Sequence, residues 1–263
     1  MSSGIADRYQ RDGLLSPVRI IDGSEATRHR SLLESAEEKL GPLHYVNKIH
    51  TVMSSPLELA THPTVLDTVE ALIGHDILLY STTYIIKEPH TETYVAWHQD
   101  LTYWGLADDD AQVSMWLALA PATVESGCMM MIPGSHKGGR GEHVEDPGDG
   151  NVLQLGQRLA RVDDAEVATP CALSPGEASF HHGWTIHTSA PNTTDDRRIG
   201  LNVQYVAPHN KQAGRSMSAT LVRGEDRYGF YQSETLPQSA LDHDRANELR
   251  ERDAAMKASF ETK

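Results

Sequence analysis

The chain has 263 residues, 39% hydrophobic and 23% charged, with a formal net charge of −14 at pH 7. That acidity argues against a broad nucleic-acid surface, which needs a basic face, and no run approaches the ~18 apolar residues of a membrane span. Two cysteines, Cys128 and Cys171, make no disulfide framework and read as small core residues in a reducing compartment.

The N-terminal MSSGIADRYQRDG has no apolar centre, so no signal peptide is expected and a cytoplasmic protein is the default. The segment 24–41 reads as a helix, with Ser24 as N-cap, Gly41 as its stop and Leu32, Leu33, Ala36 and Leu40 on one stripe. A second helix spans 62–74, with Val65, Val69, Leu72 and Ile73 at helical spacing and Gly74 at its end. The period then changes. DILLYSTTYIIKEP (76–89) is rich in β-branched and aromatic residues and reads as a strand ending at Pro89. Short strand-like pieces follow at 93–98, 112–120, 127–132, 167–172, 178–181, 184–188 and 199–207, separated by turns such as PGSH and SPGE. Many short strands so punctuated suggest an antiparallel sandwich or barrel. GSHKGGRGEHVEDPGDGN (134–151) is glycine-rich and aperiodic, and the stretch to about 164 reads as a lid over the substrate side of a site. The tail 239–263 reads as an exposed helix with Leu241, Leu249 and Met256 as apolar anchors. No internal repeat or linker divides the chain. It is expected to be one domain, with N-terminal helices (1–75), a β core (76–207) and a C-terminal segment (208–263).

AWHQDLTYW (96–104) places a histidine and an aspartate between tryptophans. Residues i and i+2 of a strand share a face, so His98 and Asp100 project together while Gln99 points away. Alone, that pattern reads as a hydrogen-bonded pair. FHHGWTIHTSAPNTTDDRRIGLNVQYV (180–206) changes this, because His187 ends the strand-like WTIH. Two histidines and one carboxylate leave open positions on an ion, the arrangement of non-haem Fe(II) oxygenases. A bidentate 2-oxo acid and dioxygen would fill them. The far carboxylate of such a co-substrate needs a planar, permanent cation. Arg198 lies eleven residues after His187, where a hairpin would return it beside the metal strand. Arg197 competes, since the strand's phase is not readable.

HQD with Trp116 following, ESGCMMMIPGSHKG, and IHTSAPN with the paired arginines together resemble the phytanoyl-CoA dioxygenase family of Fe(II)/2-oxoglutarate oxygenases over roughly 76–207. The resemblance implies a mainly β fold with flanking helices, built on a double-stranded β-helix (jelly-roll, cupin-like) core. It implies iron held by His98, Asp100 and His187, and the 2-oxoglutarate C5 carboxylate held by Arg198 with Ser189. Trp116 would lie beside the co-substrate, and Tyr84 and Lys87 would add contacts to it. His182 would lie near the metal. Tyr103 and Trp104 would line a substrate pocket. His136 reads as part of a turn, and His44, His50, His62, His75, His90, His143, His209 and His243 have no partner at ligand spacing.

The implied reaction consumes 2-oxoglutarate and O2, yields succinate and CO2, and hydroxylates a small molecule of specialised metabolism. Related halogenases put a small residue where Asp100 stands, which favours hydroxylation here. Desaturation, cyclisation and epoxidation would use the same residues. A non-catalytic jelly roll would not need Arg198 beside a full triad, and a zinc hydrolase would want a nearby glutamate base. Neither a nucleic-acid nor a membrane partner is expected, and homo-oligomerisation is left open.

Overall fold

A computed structural model describes residues 2–106, 111–146, 148, 150–153, 156–163, 165–211 and 217–251. The N-terminal part is helical around one strand: α1 (Ser2–Asp12), β1 (Leu14–Arg19), α2 (Gly23–Leu40), α3 (Ser54–Ala60) and α4 (Pro63–Ile73). Strands β2 (Ile77–Lys87) and β3 (Val95–His98) lead into a single helical turn, α5 (Leu101–Trp104). Then come β4 (Gln112–Ala118), β5 (Met129–Met131), β6 (His143–Glu145), β7 (Gln157–Leu159), β8 (Thr169–Cys171) and β9 (Glu177–His181). The chain continues through β10 (His187–Ser189), β11 (Arg198–Val206), β12 (Ser218–Arg223) and β13 (Gln232–Ser233).

A seven-stranded sheet runs β1-β9-β4-β11-β2-β12-β13, and a four-stranded sheet runs β3-β10-β5-β8. Every pairing but β12 with β13 is antiparallel, as the jelly-roll expectation requires. Strands β1 and β12, from outside 76–207, extend the larger sheet on either side of that core.

Side chains alternate across a strand, so each strand of the larger sheet carries two different chemistries. On β11 the residues Ile199, Leu201, Val203 and Tyr205 are buried in one core with Leu33 and Leu40 of α2 and Val65 and Val69 of α4. The helices therefore cover the outer face. Between the sheets, two smaller apolar clusters flank the polar interior. One gathers Trp116, Ala118, Cys128, Met129, Met131 and Cys171. The other gathers Leu78, Tyr80, Leu101, Trp104, Trp184, Val206 and Tyr231. Both cysteines are buried thiols.

The first expected helix is capped by Asp22, not Ser24: the Asp22 carboxylate accepts the Glu25 N–H at 2.9 Å, and the Ser24 hydroxyl only braces it. A carboxylate beside the helix N-terminus also gains from the macrodipole. The stops at Gly41 and Gly74 are as expected. The C-terminal helix begins at 243 and is largely exposed, with the expected anchor Leu249 in the main core, Leu241 packed against it, and Ala246 as a further buried contact. Met256 lies outside the described residues. The 134–164 segment is not irregular throughout. It holds a 3-10 turn (Ser135–Gly138) and the antiparallel pair β6–β7. No helix of the described residues is long and apolar enough to cross a membrane.

Candidate metal centre

His98 closes β3 and pairs directly with His187 at the start of β10. Their ring centroids are 4.1 Å apart. Asp100 is not on the strand with His98; it has helical backbone angles at the start of α5. The turn from strand to helix, rather than strand alternation, swings its carboxylate back. The result is a cluster in which Asp100 Oδ1 lies 3.3 Å from His98 Nε2 and 3.6 Å from His187 Nε2. One donor atom of each residue lies within 4.8 Å of the others.

Backbone carbonyls set both imidazole tautomers. His98 Nδ1 faces the Ala96 carbonyl at 2.9 Å and His187 Nδ1 faces the Thr185 carbonyl at 3.0 Å. Each Nδ1 must carry the proton, which puts the lone pair on Nε2, toward Asp100. Burial, reinforced by His98, pushes the His187 pKa down to about 3 and keeps the ring neutral, as a ligand must be. Burial pushes the Asp100 carboxyl up, but the hydrogen bond with His181 and the surrounding imidazoles outweigh it and hold it well below the usual range. Two neutral nitrogens and one carboxylate suit a divalent first-row ion.

Asp100 Oδ2 is held separately. It accepts from the Ser114 hydroxyl at 2.6 Å and faces His181 Nε2 at 3.2 Å. Sequence reasoning missed both residues. Ser114 stands two residues before Trp116 on one strand, so their shared face was a usable signal. His181 was hidden by His182, its neighbour, because the phase of β9 was unknown. His182 has other partners: it lies just past β9, its Nδ1 accepts the Trp184 N–H at 3.0 Å, and its ring packs toward His136 and Tyr9. Gln99 does point away from the cluster. Its amide binds the Gly139 and Trp184 carbonyls, and its oxygen accepts the Gly141 N–H at 2.7 Å.

Arg198 opens β11 opposite Lys87, the last residue of β2. Both are about 1% exposed. The Arg198 guanidinium sits 5.0 Å from the Trp116 ring and donates Nη1 to the Gly127 carbonyl at 2.7 Å, while its Nε has no partner. Lys87 Nζ donates to Ser189 Oγ at 2.7 Å and to the Ser189 and Ala190 carbonyls. Burial, then the Arg198 charge, pushes Lys87 down to about 6, and burial pushes Arg198 down to about 10. Among the described residues neither cation has a carboxylate partner. Two adjacent buried basic side chains with an orphaned guanidinium N–H fit an anion such as a carboxylate, whose charge would offset the burial that lowers both. Arg197 resolves the other way: it faces outward and pairs with Glu37 at 2.8 Å and Glu88 at 2.9 Å.

Tyr84 is a correction. It pairs with Leu201, and both lie in the helix-covered core, three residues and so the opposite face from Lys87. Its fully buried hydroxyl cannot reach the co-substrate side. Trp104 is buried, stacked on Tyr80 at 6.0 Å in the apolar cluster beside α5. The side chain of Tyr103 lies outside the described residues. A second acidic group, Glu25, His29 and Glu58, is filled by the Arg28 guanidinium, 2.7 Å from Glu58 and 2.9 Å from His29.

The family model described as Phytanoyl-CoA dioxygenase (PhyH) matches residues 17–200. The chain is 28% identical over 168 residues to a probable phytanoyl-CoA dioxygenase of Caenorhabditis elegans, covering 61% of this chain and 54% of that protein. It is 26% identical over 150 residues to the peroxisomal phytanoyl-CoA dioxygenase of Homo sapiens, covering 56% and 44%. The chain thus spans about half the length of the curated relatives it matches. Among solved structures, the apo form of the non-heme monooxygenase ThoJ superposes with a TM-score of 0.83 at 29% identity, covering 98% of this chain and 99% of that one. Its nickel complex gives 0.77 at 28%, covering 96% and 99%. The epimerase SnoN, solved with Fe3+, alpha-ketoglutarate and nogalamycin RO, shares the fold at 0.67 and 23% identity, covering 81% and 86%.

Proposed function

The chain belongs to the phytanoyl-CoA dioxygenase family, and from that premise we propose that it is a non-haem Fe(II)/2-oxoglutarate-dependent oxygenase that hydroxylates a small molecule. The observation that carries this reading is the convergence of His98 Nε2, His187 Nε2 and Asp100 Oδ1 in the same interior as the unpaired cations Arg198 and Lys87. A metal site alone would leave those cations unexplained. The nickel complex of ThoJ supports a divalent-metal site on this scaffold.

In this reading His98, Asp100 and His187 hold the iron. Arg198, with Lys87 and Ser189, takes the distal carboxylate of 2-oxoglutarate, and Trp116 walls its side. Iron, 2-oxoglutarate and dioxygen together supply an oxidant for a substrate C–H bond and release succinate and CO2. The protein's own contribution is positional. Carbonyls of Ala96 and Thr185 fix the imidazole tautomers, and Ser114 and His181 occupy the second oxygen of Asp100, so one oxygen is left for the metal. The apolar clusters on either side keep bulk water from the centre. A filled carboxylate position at Asp100 favours hydroxylation over halogenation.

The test is turnover of 2-oxoglutarate. Anaerobic protein loaded with Fe(II) and then mixed with 2-oxoglutarate and air should release succinate and CO2 in equal amounts. His187→Ala should abolish both and lower the bound iron. Equal iron binding and succinate release by wild type and variant would remove His187 from the site.

A further inference from the structure

Strand β11 lies at the centre of the larger sheet, with β2 and β4 paired on either side. Its outer residues are fully buried under the helices, whereas Asn202 and Gln204, on the inner face, are both partly exposed. With both strand edges paired and the outer face covered, solvent reaches these side chains only from the space between the sheets. Among the described residues neither carboxamide has a hydrogen-bond partner. Asn is a poor central-strand residue, and both carboxamides turn donors and acceptors that no described group takes up toward the space between the sheets. A ligand entering that space can meet them.

Register places the pair beside the metal centre. Gln204 is directly opposite Ser114, which holds Asp100, and opposite Ser81 on the other side. Asn202 is opposite Trp116 and Thr83. Across β4, the same two rows run on to His181 and Ser179. Directly opposed residues have Cβ atoms about 4.5–5.5 Å apart, so both carboxamides are one strand from groups around the metal and the co-substrate. None of the residues in these rows is a lysine, arginine or carboxylate. The interior cations, Lys87 and Arg198, are at the other end of β11, beyond Gly200. An anionic substrate group set against Asn202 and Gln204 would lose its hydration without a lysine or arginine of these rows to replace it. A neutral group that both donates and accepts would satisfy a carboxamide completely. Past Gln204 the interior becomes apolar, with Val206, Leu78 and Tyr80.

We propose that Asn202 and Gln204 are the substrate-recognising pair, and that they select a neutral donor–acceptor group, a hydroxyl or an amide on an apolar body, over a carboxylate or a phosphate. This rests on the oxygenase reading, and the test separates the two. Protein loaded with redox-inert Ni(II) is first titrated with 2-oxoglutarate by calorimetry. Four probes on one ring follow, read by ligand-observed NMR: cyclohexanecarboxamide, cyclohexylmethanol, cyclohexanecarboxylate and cyclohexylmethyl phosphate. The two neutral probes should bind the loaded wild type and the two anions should not. Asn202→Leu and Gln204→Leu should each weaken the neutral probes roughly tenfold, as loss of a buried hydrogen-bonding group does, and keep 2-oxoglutarate affinity within about twofold. Where a leucine variant fails to fold, the alanine variant serves the same comparison. Preferential binding of an anion, unchanged binding in both variants, or retention of neither neutral probe overturns the proposal. A ~tenfold loss of 2-oxoglutarate affinity in the variants also overturns it, because it assigns the carboxamides to the co-substrate. A wild type that holds Ni(II) but not 2-oxoglutarate overturns the oxygenase reading, and this proposal with it, before any probe is added.

Discussion

Asp100 divides its two oxygens between two tasks: Oδ1 faces both histidine nitrogens, and Oδ2 takes Ser114 and His181. Partners of this kind orient a metal carboxylate, and their loss typically costs about 10–100-fold in metal affinity. His181→Phe should therefore weaken Co(II) binding by roughly that factor in a chelator competition, with the Co(II) absorption spectrum altered. His181→Gln should recover part of the loss. An unchanged affinity and spectrum would mean that Ser114 alone suffices. Arg198 and Arg197 are neighbours with opposite fates. Removing Arg198 strips the interior of a charged partner, worth about 2–5 kcal/mol or ~30-fold and more in affinity. Calorimetry should show that loss for 2-oxoglutarate in Arg198→Ala, while Arg197→Ala, which cuts ion pairs with Glu37 and Glu88 outside the interior, should bind as wild type. A larger effect at Arg197 would reverse the assignment.

At the scale of elements, the helices and long strands were legible and the short connections were not. The segments 24–41, 62–74 and 76–89 became α2, α4 and β2 within a residue or two, because each carries enough turns or alternations for its period to show. Strand β1, helices α1 and α3 and the β6–β7 pair went unread, being short or stabilised by partners distant in sequence. Close packing constrains the elements that build the site. A Cβ at Gly200 would lie 1.9 Å from the Trp116 ring, so the indole rests against bare backbone. Gly200→Ala must push that ring aside; overpacking of this kind costs about 1–3 kcal/mol, and the urea midpoint should fall accordingly. The 139–145 stretch is pinned by Gln99, next to His98, and β7 borders a cavity of about 320 Å³ lined by Tyr94, Trp97, Arg158 and Thr188. Thr188 points away from the metal, between inward-facing His187 and Ser189, so that cavity is on the outer side of the smaller sheet. Gln99→Ala should speed amide hydrogen exchange in 139–145. If it does not, the lid expectation for this stretch loses its hinge.

For the molecule as a whole, buried titratable groups away from the centre determine its response to acid. His29 is buried beside Ser55, and burial, with the Arg28 charge, lowers it from 6.5 to about 4 despite Glu58. As pH falls below 6.5 the unfolded chain takes a proton that the folded chain refuses, so stability declines progressively down to about pH 4. Glu234 adds to the same trend at lower pH. Burial raises its pKa, but the His50 hydrogen bond and Lys48 outweigh that and bring it down to about 2. Its contribution is complete above the ordinary carboxyl value of 4.5 and is lost as pH drops toward 2. Urea midpoints measured from pH 7 to pH 4 should therefore fall, and His29→Phe should flatten the upper part of that fall. A flat wild-type profile between pH 6.5 and 4 would show that His29 is protonated in the folded chain.

The sequence by itself determined the period of the long elements, the β-rich class and a few local patterns: His98 and Asp100 two residues apart, His187 at the end of WTIH, and the pair Arg197 and Arg198 ahead of an apolar strand; Ser189 was named only through the family resemblance. What only the tertiary structure decided was phase and partnership. The choice of Arg198 over Arg197, the exclusion of Tyr84, the exchange of His182 for His181 and the turn that brings Asp100 back to His98 all depend on which face of a strand the helices cover. The physical reason is the two-residue period of a strand: a shift of one position moves every side chain to the opposite face, and only the packing of distant segments against one face selects between the two.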